Sequence, residues 1–116
     1  MKINLILLLT AFLLSCDRNE EEIPNDIFEV ATAGIGIDCK LLLIDFKEID
    51  LDRIEKITHS KGLRYHAYNL DQAEFSADGQ ILTVRIRKTF DSELFVCTTL
   101  GPGYPWVTVL DAEPKE

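Results

Sequence analysis

The chain has 116 residues, 47% of them hydrophobic, and a formal net charge of −8 at neutral pH. This length suits one small domain. Acidic side chains outnumber basic ones by 20 to 12, which disfavours nonspecific binding to nucleic acid because phosphate groups would be repelled. We therefore expect no nucleic-acid partner.

The first fifteen residues predict an export signal. Lys2 precedes an apolar stretch from Leu5 to Leu14, and Ser15 and Cys16 follow it. A transmembrane helix needs about twenty consecutive apolar residues, whereas this shorter stretch fits the apolar region of a secretory signal peptide. We interpret residues 1–15 as that signal peptide. An ordinary signal with an incidental cysteine is the alternative.

The end of this segment, Leu13-Leu14-Ser15-Cys16, resembles the lipobox of bacterial lipoproteins. The resemblance implies that Cys16 carries a diacylglyceryl thioether, becomes the acylated N-terminus of the mature protein and anchors it in a membrane. Several acyl chains acting together would make this attachment stable. Removal of residues 1–15 also removes Lys2, which changes the formal charge to −9.

Residues 16–26 are interpreted as a flexible acidic tether, because Asp17 to Glu22 are polar and lack apolar periodicity. Acidic residues just after a lipidated cysteine resemble the export signal of Bacteroidetes-type lipoproteins. The resemblance implies a lipid-anchored protein on the outer face of the outer membrane. A periplasm-facing position is the alternative.

Cys39 and Cys97 remain once Cys16 is assigned to lipid. Two cysteines in an exported chain predict one disulfide. Two buried free thiols, or one reactive cysteine, are the alternatives. Neither residue belongs to a Cys-x-x-Cys pair or is flanked by histidine, which disfavours a redox role.

Residues 27–116 are predicted to form one mainly β domain. One short helix is expected from Asp50 to Ile57, where apolar residues recur at three-residue spacing. Gly34 and Gly36 suit a bulge or a sharp bend at the end of the first strand. Five or six strands are predicted, at residues 27–32, 39–46, 63–70, 81–88, 94–99 and 106–111.

Short strands separated by turn signals favour a small antiparallel Greek-key barrel, with a small β-sandwich as the alternative. The Asp78-Gly79 turn, the segment from Cys97 to Pro105 and the closing strand at residues 107–110 resemble a pattern in small uncharacterised Bacteroidetes-type lipoproteins. That resemblance covers most of residues 39–112 and implies an OB-like barrel, that is, one of the oligonucleotide/oligosaccharide-binding kind. It contains no catalytic residue.

The sequence shows no catalytic pattern. His59 and His66 match no zinc-site spacing, and no Gly-x-Ser-x-Gly motif of a serine hydrolase is present. The acidic stretch at residues 45–55 lacks the glycine of a calcium-binding loop. We therefore expect no metal site, no cofactor and no enzymatic activity.

Two groups of side chains are candidates for contact with a ligand or partner. Aromatic rings could stack on sugars, and two arginines form an outward-facing basic stripe with Lys88. Alternatively, the rings pack over one end of the barrel and the arginines balance acidic neighbours. The candidates are Tyr65, Tyr68, Tyr104, Trp106, Arg85 and Arg87.

The predicted function is a lipid-anchored module of the cell envelope that binds a protein, peptide or glycan. The alternative is an inhibitor of a secreted hydrolase such as a lysozyme or a protease. In that case the stiff turn from Gly101 to Pro105 would be the contact loop.

Overall fold

The computed structural model describes residues 25–98 and 103–115. Three predictions therefore lie wholly or mostly outside the described residues. They are the signal peptide, the lipidation of Cys16 and the tether. Among the described residues, no helix is long and apolar enough to cross a membrane. The strands are β1 (Ile27–Ile35), β2 (Leu42–Phe46), β3 (Arg64–Tyr68), β4 (Ile81–Arg87) and β5 (Trp106–Pro114).

The five strands close into a barrel in the order β1-β2-β3-β5-β4, with β4 returning to β1. Neighbouring strands are antiparallel except β3 and β5, which run parallel. The prediction of a small five- to six-stranded, OB-like barrel is confirmed with five strands. Its description as antiparallel needs a correction at the β3–β5 pair, because β5 enters between β3 and β4 in the same direction as β3.

A bulge in β1 lets this strand pair with both β4 and β2. The register to β2 shifts between Thr32 and Ile35, and Gly34 lies there with a φ of +77°. Glycine adopts this left-handed conformation without steric cost, because it has no Cβ atom. The predicted bulge is therefore present, although β1 continues to Ile35 instead of ending at Thr32.

Strand alternation fills the barrel with apolar side chains. In β4, Leu82, Val84 and Ile86 face the interior and are buried, as the period of two predicts. Three rings meet inside the barrel, where Phe46 contacts Phe28 and Tyr65 edge to face, each at 5.4 Å between ring centroids. This interior is continuous with Ile54 of a helix, α1 (Leu51–Thr58).

The helix α1 corresponds to the predicted one and follows a 3₁₀ turn at Glu48–Asp50. A second, four-residue helix, α2 (Gln72–Phe75), was not predicted. It begins after Asp71, whose carboxylate accepts hydrogen bonds from the amides of Ala73 and Glu74. This is the usual way in which an aspartate satisfies the free amides of a first helical turn.

The predicted strand at residues 94–99 is wrong over its described part. A 3₁₀ turn at Asp91–Glu93 is followed by irregular chain at residues 94–98. The physical reason is the closure of the barrel: β4 and β5 already pair with each other along their length, which leaves no open edge there for another strand. Residues 94–98 run outside the barrel instead.

Candidate functional site

Two loops cover the outer face of β2, β3 and β5. We call them loop 12 (residues 36–41, between β1 and β2) and loop 45 (the described residues 88–98 and 103–105, between β4 and β5). In OB-fold barrels, the face of strands 2 and 3 and these two loops bind ligands. Leu43, His66 and Thr108 alternate with core residues and so point away from the interior, yet all three are buried. The loops therefore cover this face.

A disulfide joins the two loops. Cys39 of loop 12 and Cys97 of loop 45 are bonded, with their Cα atoms 4.6 Å apart. The predicted disulfide is confirmed. A hydrogen bond of 3.0 Å from the amide of Thr98 to the carbonyl of Asp38 lies beside it. The two loops consequently form one linked layer above the strands.

Aromatic rings form a continuous cluster under this layer. Trp106 contacts Phe95 of loop 45 at 4.8 Å between ring centroids and stacks on Tyr68 at 6.0 Å. The His66 ring lies 5.8 Å from the ring of Tyr104 and 6.1 Å from that of Trp106. These rings pack mainly against one another, and Trp106, Tyr68 and Tyr104 are each only partly exposed.

His66 is the most unusual residue of the site. Its side chain is 1% exposed, and neither ring nitrogen has a hydrogen-bond partner among the described residues. Burial lowers the pKa of this imidazole, and the negative charge of Asp38 opposes the effect. A neutral imidazole carries one donor and one acceptor, and leaving both unpaired in a buried place costs free energy.

Asp38 lies beside this ring and is also buried. Its Oδ1 atom is 3.7 Å from Nε2 of His66, which is longer than a hydrogen bond. The same oxygen accepts a hydrogen bond of 3.0 Å from the amide of Cys39. Among the described residues, no Lys or Arg side chain forms an ion pair with Asp38. The carboxylate is thus buried beside a neutral ring.

Glu93 anchors the beginning of loop 45. Its carboxylate accepts two hydrogen bonds from Arg87, of 2.8 and 2.7 Å, and further ones from the Phe90 amide and the Thr108 hydroxyl. The guanidinium of Arg87 lowers the pKa of Glu93 to about 2. Bidentate, charge-assisted bonds of this kind are among the stronger hydrogen bonds in proteins. They hold the 3₁₀ turn against β4 and β5.

An exposed apolar segment lies between these two anchors. We call it the apolar tip and define it as residues 94–96, that is, Leu94, Phe95 and Val96. Val96 is 98% exposed, and Leu94 and Phe95 are about half exposed. Glu93 immediately precedes the tip and the disulfide at Cys97 immediately follows it, so both ends of the tip are fixed.

The structure places the six predicted contact residues in different environments. Tyr68, Tyr104 and Trp106 belong to the ring cluster described above. Arg87 borders the cluster but is paired with Glu93, whereas Arg85 pairs with Asp26 at 3.5 Å on a different part of the surface. Both arginines thus have acidic partners.

The prediction that Tyr65 contacts a ligand or partner is wrong, because its ring lies in the barrel interior. Its hydroxyl lies 3.0 Å from that of Thr58 and donates to the carbonyl of Ser60. Burial raises the pKa of this hydroxyl. The side chains of β3 alternate, so that Tyr65 points inward and His66 outward.

The sequence prediction did not include Asp38, Glu93 or the apolar tip among the site residues, and it considered His66 as a zinc ligand and set it aside. The three consecutive apolar residues of the tip were interpreted as part of a strand, although they lack alternation, and that lack is the signal that could have identified them. Within the suggested contact turn, Gly101 and Pro102 lie outside the described residues. Tyr104 and Pro105 are partly buried.

The site offers little space for a small molecule. A depression lined by Leu94, Pro105 and Trp106, among others, holds about 200 Å³. Pockets for small molecules usually enclose about 300–1,000 Å³. The tip projects from this surface instead of lining a deep cavity.

No family model, no curated protein and no solved structure matches this chain.

Proposed function

We propose that this protein is a lipid-anchored module of the cell envelope that binds another protein through its apolar tip. The observation that carries the proposal is the exposure of Val96, Leu94 and Phe95 in a segment fixed at both ends. Exposed contiguous apolar side chains on a small domain commonly mark interaction sites. Other large exposed apolar side chains among the described residues, such as Ile35, Ile49 and Ile81, do not belong to a run of three consecutive ones.

Fixing the tip favours binding for an entropic reason. A segment that is already ordered loses less conformational freedom when it meets a partner. The disulfide and the Glu93–Arg87 pair supply this order on opposite sides of the tip. A small number of well-held apolar side chains can then provide most of the binding free energy.

The chemistry of the tip favours a protein over a glycan. Leu94 and Val96 are aliphatic, whereas sugars are usually recognised by flat exposed rings together with polar groups. The rings of this site pack against one another, and the depression beside them is shallow. Residues 27–116 contain 15 acidic and 10 basic side chains, a formal net charge of −5, so the domain suits a partner whose apolar recess is bordered by basic side chains.

The lipid anchor is the second part of the proposal. Cleavage before Cys16 and acylation of that residue would leave residues 16–26 as a tether between the membrane and the barrel. The lipobox-like sequence and the acidic residues after it support this arrangement and an outer-membrane, cell-surface location.

The anchor is tested by metabolic labelling with palmitate. The wild-type protein should carry label and the Cys16→Ser variant should not. Label that persists in the variant would contradict lipidation of Cys16. Protease added to intact cells should degrade the protein, and protection until the cells are lysed would place it facing the periplasm.

Binding is tested by placing a photo-crosslinking residue at position 96 or, as a control, at position 49. Ile49 is a matched control because it is 87% exposed and aliphatic but lies in the turn after β2. We expect a discrete protein adduct from position 96 and none of comparable yield from position 49. Equal yields from both positions would contradict binding through the tip.

The partner found in this way allows a quantitative test with purified proteins. Truncation of a central interface side chain costs about 1–2 kcal/mol or more, so Val96→Ser should weaken binding by roughly five- to thirtyfold. Ile49→Ser should leave the affinity unchanged. If the partner is a secreted lysozyme or protease, inhibition of its activity should fall in parallel with binding.

A further inference from the structure

Asp38, Cys39 and His66 bring three metal-binding groups together beneath the linked loops. One ligand atom from each residue lies within 4.8 Å of the other two, and all three residues are buried. Asp38 and Cys39 come from loop 12 and His66 from β3, while Cys97 brings a second sulfur from loop 45. These residues come from three segments that are far apart in the sequence, so they show no zinc-site spacing.

We propose that reduction of the Cys39–Cys97 disulfide creates a zinc site formed by the two cysteine sulfurs, a ring nitrogen of His66 and a carboxylate oxygen of Asp38. The proposal is independent of the partner proposed above. Zn²⁺ prefers four tetrahedral ligands of these types. In the disulfide form the sulfurs are bonded to each other and cannot serve as thiolate ligands.

The spacing of the groups suits a tetrahedral ion. Metal–ligand bonds of about 2.0–2.3 Å place neighbouring ligand atoms roughly 3.3–3.8 Å apart in a tetrahedron. Nε2 of His66 and Oδ1 of Asp38 are 3.7 Å apart, too far for a hydrogen bond but within this range. These two side chains therefore already have nearly the spacing of two ligands, whereas the two sulfurs, which are bonded to each other in the disulfide, would move apart after reduction.

The second observation is the unsatisfied polarity of the site. Both ring nitrogens of His66 lack a hydrogen-bond partner among the described residues, although the side chain is 99% buried. Asp38 is a buried carboxylate, and among the described residues this ring is the one basic group within 4.0 Å of it. Buried charges are generally paired or coordinate metals. A divalent cation would pair with the Asp38 carboxylate and bind one of the two ring nitrogens of His66.

The reductive step balances with a dithiol as the reductant. One thiolate of the dithiol attacks Sγ of Cys97, which is partly exposed, and the S–S bond electrons leave on the sulfur of buried Cys39. The second thiol of the reagent then displaces Cys97 and closes a disulfide in the reagent. The protein gains two electrons and two protons, and Zn²⁺ binding releases the two protons from the cysteine thiols.

A zinc ion in this position would join the same two loops that the disulfide joins. Loop 12 would supply two ligands, loop 45 one and β3 one. The apolar tip begins three residues before Cys97, so the ion would hold its C-terminal end as the disulfide does. The site would thus preserve the form of the tip under reducing conditions.

The test uses the Cys16→Ser protein, in which Cys39 and Cys97 are the only cysteines. After reduction with a phosphine, which takes up oxygen from water, the protein is titrated with Co²⁺ and then with Zn²⁺. We expect one Co²⁺ per chain with the visible spectrum of a tetrahedral thiolate site, displaced by Zn²⁺. The oxidised protein should show no such spectrum. Absence of the spectrum after complete reduction would overturn the proposal.

The two histidines allow a matched comparison. Loss of a residue that hydrogen-bonds to a metal ligand weakens metal binding by about 10–100-fold. His66→Phe removes a ligand itself and should therefore weaken Co²⁺ binding at least about 100-fold. His59→Asn should bind as the reference protein does, because His59 is exposed after α1 in a left-handed conformation that asparagine accepts. Equal affinities of the two variants would exclude His66 as a ligand and overturn the site.

Two further measurements test the zinc site even if a substitution or the reduction changes the folding of the protein. Asp38→Asn retains the shape of the side chain and should also weaken Co²⁺ binding without loss of the far-UV circular dichroism of the fold. If the reduced metal-free protein unfolds, Zn²⁺ should restore its spectrum, because metal binding and folding are then coupled. Failure to refold with Zn²⁺, or equal Co²⁺ binding in urea, would contradict a folded zinc site.

Discussion

The interior of the barrel and the layer beneath its two linked loops are both buried, but they are built from different chemistry. Apolar side chains from all five strands and from α1 fill the interior. Beneath the loops lie an imidazole, a carboxylate and several rings, and the layer is held by one disulfide and one carboxylate that accepts four hydrogen bonds. Stability is therefore distributed over many contacts in the interior and concentrated at two anchors in the outer layer.

This difference indicates a division of roles. Dense apolar packing specifies the barrel and tolerates little change in volume. In the outer layer, both ring nitrogens of His66 lack a hydrogen-bond partner within the described part of the chain, which costs free energy. Substitutions at the two anchors should thus release the loops before the barrel unfolds.

The largest effect is expected from removal of the disulfide. In the chain-entropy model, a link between residues 58 positions apart contributes about 4 kcal/mol to the free energy of unfolding. Cys39→Ser with Cys97→Ser should lose about this amount in urea denaturation, and the domain should remain folded at 25 °C. Hydrogen exchange should accelerate at residues 36–41 and 94–98 well before it does in β2 and β4. Equal acceleration in loops and strands would contradict the proposed division.

An effect of similar size is expected in the interior from Ile44→Ala. Ile44 is fully buried in the core cluster, and truncation of such a side chain costs about 2–5 kcal/mol. Here hydrogen exchange should accelerate in strands and loops together, because the cooperative unit is the whole barrel. Ile81→Ala, at a position 40% exposed at the start of β4, is the control and should cost less than about 1 kcal/mol.

Glu93→Gln tests the second anchor. Loss of the charged partner of Arg87 should lower the free energy of unfolding at neutral pH, with solvent screening limiting the loss, and should loosen the 3₁₀ turn at Asp91–Glu93. The folded-state pKa of Glu93 is about 2, against an ordinary value of 4.5. The stabilisation is therefore complete above pH 4.5 and is lost as the pH falls from 4.5 toward 2. Thermal denaturation of both proteins should give melting curves that converge at pH 2 and separate above pH 5.

The smallest effect is expected from Tyr65→Phe, which removes one hydroxyl from the interior. That hydroxyl interacts with Thr58 and Ser60, and a hydrogen bond of this kind contributes about 0.5–1.5 kcal/mol. Urea denaturation should show this loss, and binding of the partner found at position 96 should not change. Weaker partner binding would indicate that the interior and the outer layer are coupled.

The sequence alone determined the elements that depend on local pattern. The alternation in β4 shows which side chains enter the core, Gly34 marks the bulge, and the three-residue spacing after Asp50 identifies α1. The disulfide followed from counting cysteines, because only two remain for the domain. These features are encoded by neighbouring residues or by composition, and so they can be recognised without a fold.

Only the tertiary structure decided what lies on the outer face of the barrel. The parallel pairing of β3 with β5 closes the sheet, and closure is what keeps residues 94–98 out of the sheet and exposes the apolar tip. The approach of Asp38 and Cys39 to His66 likewise depends on how loop 12 folds over β3. The local periodicity of the sequence does not predict such contacts, because they join side chains that are tens of residues apart. Closure of the barrel brings these side chains together, and their neighbours in the chain do not.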